Sequence, residues 1–274
     1  MCKIFSIPSI AVFTVLIFSY ATADDGIWNR VGAPSAMGTI VDISIGYEEG
    51  YGSTRYVFAA ESSSTGILRY TTDDGITWMQ SYYTSNHYFK RTAIESSNFH
   101  YGWSLVPSIS GNSDQYAGPY RTADRGIHWE RKDNGLDNNK KLEALAICAD
   151  PSLNPSLATA YIGCEGNSQN GYQKLFKTTN GGETWQLSQT SLPAGQGIVH
   201  DLAIRQDQPN IMYCAYEGSG GGLYRSTDGG ATWSQWIFDP LHPTASAHAV
   251  AARFPLTHIL QPLYFYSGNG ICTT

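Results

Sequence analysis

TTDDGITW, at Thr71–Trp78, is said again three times along the chain. It returns as TADRGIHW at Thr122–Trp129, TTNGGETW at Thr178–Trp185 and STDGGATW at Ser226–Trp233. The shared template is Ser/Thr-x-Asp-x-Gly-x-Thr-Trp. An Asp side chain accepts hydrogen bonds from backbone amides two or three residues on and so closes an Asx-type turn. Glycine takes a backbone angle that a Cβ resists. The Thr opens an outgoing strand, and the Trp gives that strand a large apolar surface to bury. The phrase predicts a tight hairpin whose far strand is pinned by an indole. Asn180 replaces the Asp in the third copy and His128 the second Thr in the second, so only the first and fourth copies are complete.

The Asp or Asn of successive copies stands at 73, 124, 180 and 228, in steps of 51, 56 and 48 residues. A period near fifty that ends each time in strand-turn-strand predicts an all-β fold, a β-propeller of four-stranded antiparallel blades. Overlaying the repeats supplies the other strands. VDISIG (Val41–Gly46), RYVFAAES and GILRYTTDDG make the first blade, and KRTAIES, FHYGWSLV and GPYRTADRG the second. LEALAICADP, TAYIGCEG and QKLFKTTNGG make the third; HDLAIR (His200–Arg205), IMYCAYEG, GGLYRSTDGG and ATWSQWIF make the fourth. AHAVAARF (Ala247–Phe254) and PLYFYSGNG begin a fifth, with no third strand and no box expected. DDGIWNRV (Asp24–Val31) reads as an outer strand without its hairpin, so residues 27–31 are expected to close the last blade. The count is about five blades with the last incomplete, or else a shortened piece of a six- or seven-bladed parent.

These boxes resemble the Asp-box, or BNR, repeat of β-propellers such as sialidases, xyloglucanases, sortilin-type receptors and photosystem II assembly factors. The resemblance implies that each box joins the third and fourth strands of a blade, away from the usual ligand face. Asp73, Gly75 and Trp78 are therefore expected to be structural. So are Asp124, Gly126 and Trp129, then Asn180, Gly182 and Trp185, and finally Asp228, Gly230 and Trp233.

Composition narrows the setting. After Lys3 an apolar run leads to Ala21-Thr22-Ala23, the layout of a secretory signal peptide over residues 1–23. The Asp-box propeller is then residues 24–274, secreted, or periplasmic or extracellular, with no membrane segment after cleavage. The chain is charge-poor, with a net charge of −6, and rich in Gly and Tyr, as many short strands and turns require. No basic stripe is present, which argues against nucleic acid as a partner. Cys148 and Cys164 fall on neighbouring predicted strands and are the candidate disulfide, while Cys214 and Cys272 read as small buried residues. No Cys or His spacing suggests zinc, and no cofactor or metal is expected.

Propellers bind ligands over the channel lined by first strands. Aligned first strands begin with Asp42, Arg91, Glu143, His200 and Asp201 as neighbours, and His248, which form the candidate ligand-binding set. Asp42, Glu143 and Asp201 are weak catalytic candidates, since glycoside hydrolysis needs two carboxyl groups about 5–9.5 Å apart. The Phe-Arg-Ile-Pro motif of sialidases is absent, and RFPL at Arg253–Leu256 does not replace it. Xyloglucanases usually join two propellers round one cleft. SYYTSNHYF (Ser81–Phe89), Trp103 and Trp236 offer rings for stacking on sugars. The leading expectation is a secreted, non-catalytic binding or assembly module for a protein segment or glycan. The alternative is a glycoside hydrolase, xyloglucanase- or sialidase-like, or a degraded relative. Exported protein is expected to begin at Asp24 after cleavage behind Ala23, which N-terminal sequencing checks; material starting at Met1 would refute it.

Overall fold

The structure, a computed structural model, describes residues 39–47, 55–62, 65–73, 75–85, 87–94, 100–108, 116–136, 142–148, 159–168, 171–205, 208–236, 247–251, 264–267 and 270–273. The expected signal peptide (1–23) and closing strand (27–31) lie outside them. No helix among the described residues is long and apolar enough to cross a membrane.

Among the described residues nineteen strands follow one another. The first sheet holds β1 (Thr39–Tyr47), β2 (Arg55–Ser62), β3 (Thr65–Thr71) and β4 (Met79–Ser85) in that order. The second holds β5 (Arg91–Ile94), β6 (Gly102–Val106), β7 (Gly118–Thr122) and β8 (Glu130–Arg131). The third holds β9 (Leu142–Cys148), β10 (Thr159–Gly166), β11 (Leu175–Thr178) and β12 (Gln186–Leu187). The fourth holds β13 (Gly197–Ile204), β14 (Met212–Gly218), β15 (Gly222–Ser226) and β16 (Ser234–Gln235). The fifth holds β17 (Ala247–Ala251), β18 (Tyr264–Ser267) and β19 (Gly270–Thr273). The paired strands are antiparallel, so these are four-stranded propeller blades followed by a fifth of three described strands.

Two details depart from expectation. The fifth blade has a third strand: Ser267 pairs directly with Gly270, leaving Gly268-Asn269 between them, and β19 runs back along β18. Requiring a box hid this strand. Secondly, the third and fourth blades are one sheet, because β10 outruns β9 and pairs Glu165 with Ile198 and Gly166 with Gly197 of β13. Small residues permit that seam: a Cβ on Gly163 would lie 2.3 Å from Val199 Cγ1, and one on Gly197 2.0 Å from the Tyr216 hydroxyl.

The chain divides into two compact units, one containing β1–β8 and the other β9–β19. In the first, Ala60, Leu68, Phe89, Val106 and Tyr120 form one cluster and Tyr56, Phe58 and Ile94 another. In the second, Leu175, Val199, Met212, Cys214, Tyr216 and Trp233 lie in the main cluster, and Ala215, Leu223, Ala247 and Val250 in a smaller one. Phe89 and Trp103 are fully buried, so these two rings pack the interior and are not the sugar-stacking surface expected of them. Trp236 is half-buried, edge-on to Tyr213, with the Arg225 guanidinium 4.6 Å from its centroid.

The cysteine expectation is also corrected. Cys148 pairs with Thr159, whereas Cys164 sits opposite Leu142 at the other end of the same ladder. That offset is about 16 Å at ~3.3 Å per residue, far beyond disulfide reach. Cys164 and Cys214 are buried thiols outside any disulfide, and burial pushes the Cys214 thiol strongly up.

All four boxes share one hydrogen-bond pattern. In the fourth, Ser226 Oγ donates to Asp228 Oδ1 (2.7 Å) and accepts from the amides of Asp228 (3.3 Å) and Gly230 (2.9 Å). Asp228 then accepts from the amide and hydroxyl of Thr232 at 2.9 and 2.5 Å. The first Ser/Thr is thus the hub, a role the sequence reading left unassigned, and the Asp reaches four residues on. Substituted boxes keep the wiring. His128 Nδ1 meets Asp124 Oδ2 at 2.5 Å in place of a Thr hydroxyl, and Asn180 Nδ2 donates to Thr184 Oγ1 at 2.9 Å. The box glycines Gly75, Gly126, Gly182 and Gly230 have φ of 86, 82, 87 and 80°, which disfavours any residue with a Cβ. Each Trp precedes the fourth strand, and the indoles act as bolts. Trp129 Nε1 donates to Ser81 Oγ (2.9 Å), Trp185 Nε1 to Lys132 O (2.7 Å) and Trp233 Nε1 to Ser188 O (3.2 Å).

The donors round Asp228, first the Thr232 hydroxyl and then the Thr232 amide, hold its carboxyl at about 2, below the ordinary 3.8. A depressed carboxyl contributes stability that is complete above the unfolded value and is lost as pH falls through the folded one. Asp228→Asn, which imitates the natural third box, is therefore expected to flatten the fall in stability between pH about 4 and about 2. Urea midpoints of both proteins across that range check it; parallel curves would refute it.

Candidate functional site

First strands carry a recurrent irregularity. β1 skips a partner between Ile40 and Asp42, β9 between Leu142 and Ala144, β13 between Val199 and Asp201, and β17 between Ala247 and Ala249. The residues in the gap are Val41, Glu143, His200 and His248. A bulge leaves its extra residue without a cross-strand partner and re-aims its side chain. Glu143, His200 and His248 therefore occupy one structural slot in three blades. Asp42 lies one residue further, in the slot of Asp201. Arg91 is half-buried and pairs with Leu105 at the start of β5.

The two aspartates have a common occupation. Asp42 Oδ2 accepts the Thr92 amide of β5 at 2.8 Å, and Ser44 Oγ accepts the Ile94 amide at 2.7 Å. Asp201 Oδ2 accepts the Val250 amide of β17 at 3.0 Å, while Oδ1 takes the Leu202 amide at 3.0 Å. Each carboxylate clips its own first strand to the first strand of the next blade. The two strands joined by each clip lie in different sheets with no ladder between them, so a side-chain acceptor satisfies an amide that a ladder does not.

Beside the Asp201 clip, three side chains converge. His200 Nε2 lies 2.5 Å from Glu217 Oε2, and His248 Nδ1 lies 3.8 Å from the same oxygen. The imidazole centroids are 4.7 Å apart at a 48° tilt. A carboxylate only accepts, so His200 carries its proton on Nε2 in this contact. Burial, then the neighbouring His200, pull the His248 pKa below its ordinary value against the opposing pull of Glu217, which favours a neutral imidazole with a lone pair to offer. Side chains of His200, His248 and Glu217 are 21, 37 and 42 % exposed, so solvent reaches all three. His200, Glu217 and His248 are the one group of three potential ligands among the described residues whose donor atoms all lie within 4.8 Å of one another.

Sequence reasoning found both histidines and missed Glu217, because it sought site residues only on first strands. Glu217 is on β14 opposite Ile198, two residues before His200. Strand alternation puts positions 198 and 200 on one face, which was the available signal. Asp42 and Arg91 belong to the other compact unit.

The class of protein follows from the repeated blade and box. Residues 224–235 match the BNR/Asp-box repeat family. The fold is similar to that of the GH74 xyloglucanase from Xanthomonas campestris, with a TM-score of 0.54, 14 % identity and coverage of 85 % of this chain and 38 % of that one. It is similar to the extracellular domain of a one-component system from B. thetaiotaomicron, with a TM-score of 0.54, 11 % identity and coverage of 88 and 28 %. An ancestral GH74 enzyme gives a TM-score of 0.52, 16 % identity and coverage of 88 and 32 %. The chain spans less than half the length of these proteins, and at such identities the likeness is one of fold alone. No curated protein matches the chain by sequence. The chain is a β-propeller of antiparallel blades, with a BNR/Asp-box repeat match in its fourth blade.

Removing the Asp201 clip leaves the amide of buried Val250 without that acceptor, a loss of about 1–3 kcal/mol. Asp201→Ala is expected to lower the melting temperature by several degrees, at about 2–4 °C per kcal/mol for a domain of this size. Thermal denaturation of Asp201→Ala beside wild type checks this; an unchanged midpoint would refute the clip.

Proposed function

We propose that this propeller is an exported, non-catalytic binding module that holds a protein segment or a glycan on the face bearing the first-strand starts. The occupation of the aspartates carries the reading. General acid–base work on a glycosidic bond needs one carboxyl free to give a proton and another free to take one or to attack. Asp42 and Asp201 instead accept backbone amides of the next blade at 2.8 and 3.0 Å. Hydrogen bonds to the ionised form hold a carboxylate as a poor proton donor. Glu143, His200 and His248, all in one compact unit, then furnish a polar surface suited to recognition. Boxes stand apart from it, at the turn between third and fourth strands.

The test pairs an activity screen with a binding screen on the purified mature chain. No turnover of β-glucans, xyloglucan or sialosides is expected. Retention on an immobilised glycan or peptide is expected, weakened by Glu143→Ala at an unchanged melting temperature. Turnover abolished by Glu143→Gln or Asp201→Asn would replace this reading with a glycoside hydrolase.

A further inference from the structure

We propose that His200, Glu217 and His248 form a mononuclear site for a divalent transition-metal ion, with zinc the best match to the donor set. This inference is independent of the binding reading, since an ion can be held whether or not the face takes a partner. Two imidazoles and one carboxylate are a recognised three-ligand set for zinc that leaves an open coordination position. Imidazole donors favour zinc and its late first-row neighbours and disfavour magnesium and calcium, which prefer oxygen.

Geometry supports the assignment at three levels. The two histidines are the bulge residues of consecutive first strands, so the backbone aims both from the same slot. Both rings approach one oxygen of one carboxylate, at 2.5 and 3.8 Å. Tetrahedral zinc with bonds of about 2.0–2.1 Å sets its ligand atoms about 3.3 Å apart. The first contact must therefore open and the second close, each by less than about 1 Å, which side-chain rotation supplies without moving a strand. Finally, Asp201 supports the site from behind. It adjoins His200 in β13 and holds the amide of Val250, two residues beyond His248, a fixed scaffold of the kind metal ligands need.

An ordinary His200–Glu217 ion pair would explain one imidazole. It does not explain why a second one, brought in by another blade, is turned towards the same oxygen. With three protein ligands the ion keeps a position for water or for a carboxylate or imidazole of a bound molecule.

The experiment uses the full mature chain, stripped with a chelator and titrated with zinc chloride by calorimetry. Cobalt(II) absorption serves as a second readout. One zinc per chain is expected, with cobalt bands of a four- or five-coordinate centre and no response to magnesium. His248→Ala and His200→Gln should each weaken zinc binding by at least about tenfold, the lower end of what losing even an outer-shell partner costs. Melting curves confirm that both variants are folded, and wild type should gain thermal stability with zinc while they do not. A wild-type chain that takes up no zinc overturns the proposal. So do variants that bind as tightly as wild type, which would put the ion elsewhere, or a magnesium response equal to that of zinc.

Discussion

The structure depends on one buried hydroxyl per blade. Thr71, Thr122, Thr178 and Ser226 are each at most 2 % exposed, and each oxygen donates to the box Asp or Asn while accepting the amide four residues on. The turn is then satisfied from within, so it keeps its shape whatever surrounds it. A self-sufficient turn can be pressed against a neighbour without leaving backbone groups unpaired. That is how the second and fourth boxes are used. A Cβ on Gly126 would stand 2.6 Å from the Phe58 ring, and one on Gly230 2.9 Å from the Tyr161 ring. Tyr161 also donates to Gly229 O at 2.7 Å, and Lys177 Nζ to the same oxygen at 3.0 Å. Glycine is needed at the box twice over, for its angle and for the approach of the previous blade.

Consecutive blades are joined by different chemistry at the box and among the first strands. At the box, an indole and a hydroxyl reach carbonyls across the junction: Trp233 to Ser188, and Ser188 Oγ to Gly230 O at 2.7 Å. Among the first strands a carboxylate does the joining, as Asp42 and Asp201 show. Dispersion between aromatic faces fills the space between, for example Phe58 against Trp129, with centroids 5.9 Å apart and nearly perpendicular planes. Lys174 adds a third device. Its buried ammonium caps Pro193 O and Gly195 O at 2.9 Å each, and burial lowers its pKa. A charge placed against neutral carbonyls is costly to bury, and here it orders the connection from β12 to β13.

These joints bear on function. Carboxylates engaged in holding blades together are poor candidates for acid–base chemistry. The partly exposed side chains at the junction of the fourth and fifth blades are of another kind. His200, Glu217 and His248 face one another, with Asp201 clipping the strands beneath them. The Asp that a sequence reading places in the site is its support, and a Glu on the next strand takes its place.

By itself the sequence determined the repeat, the blade order and nearly every strand, because alternation and turn chemistry are local and four copies reinforce one another. RYVFAAES and TAYIGCEG are strands over the very residues read from the pattern. It also determined the self-closing turn of each box, since the bonds between its Ser/Thr hydroxyl, its Asp or Asn side chain and their amide partners lie within the eight-residue motif. Where pattern failed, register was the cause. Cys148 and Cys164 sit on paired strands, yet only the ladder places them at opposite ends. Whether His200 and His248 diverge or meet was likewise decided by one extra residue in each strand. A bulge shifts every later side chain relative to its partner strand, and no local signal in the sequence announces it. Tertiary structure alone could bring Glu217 to both imidazoles, because the contact joins three strands from two blades whose spacing is set by packing and by one aspartate clip.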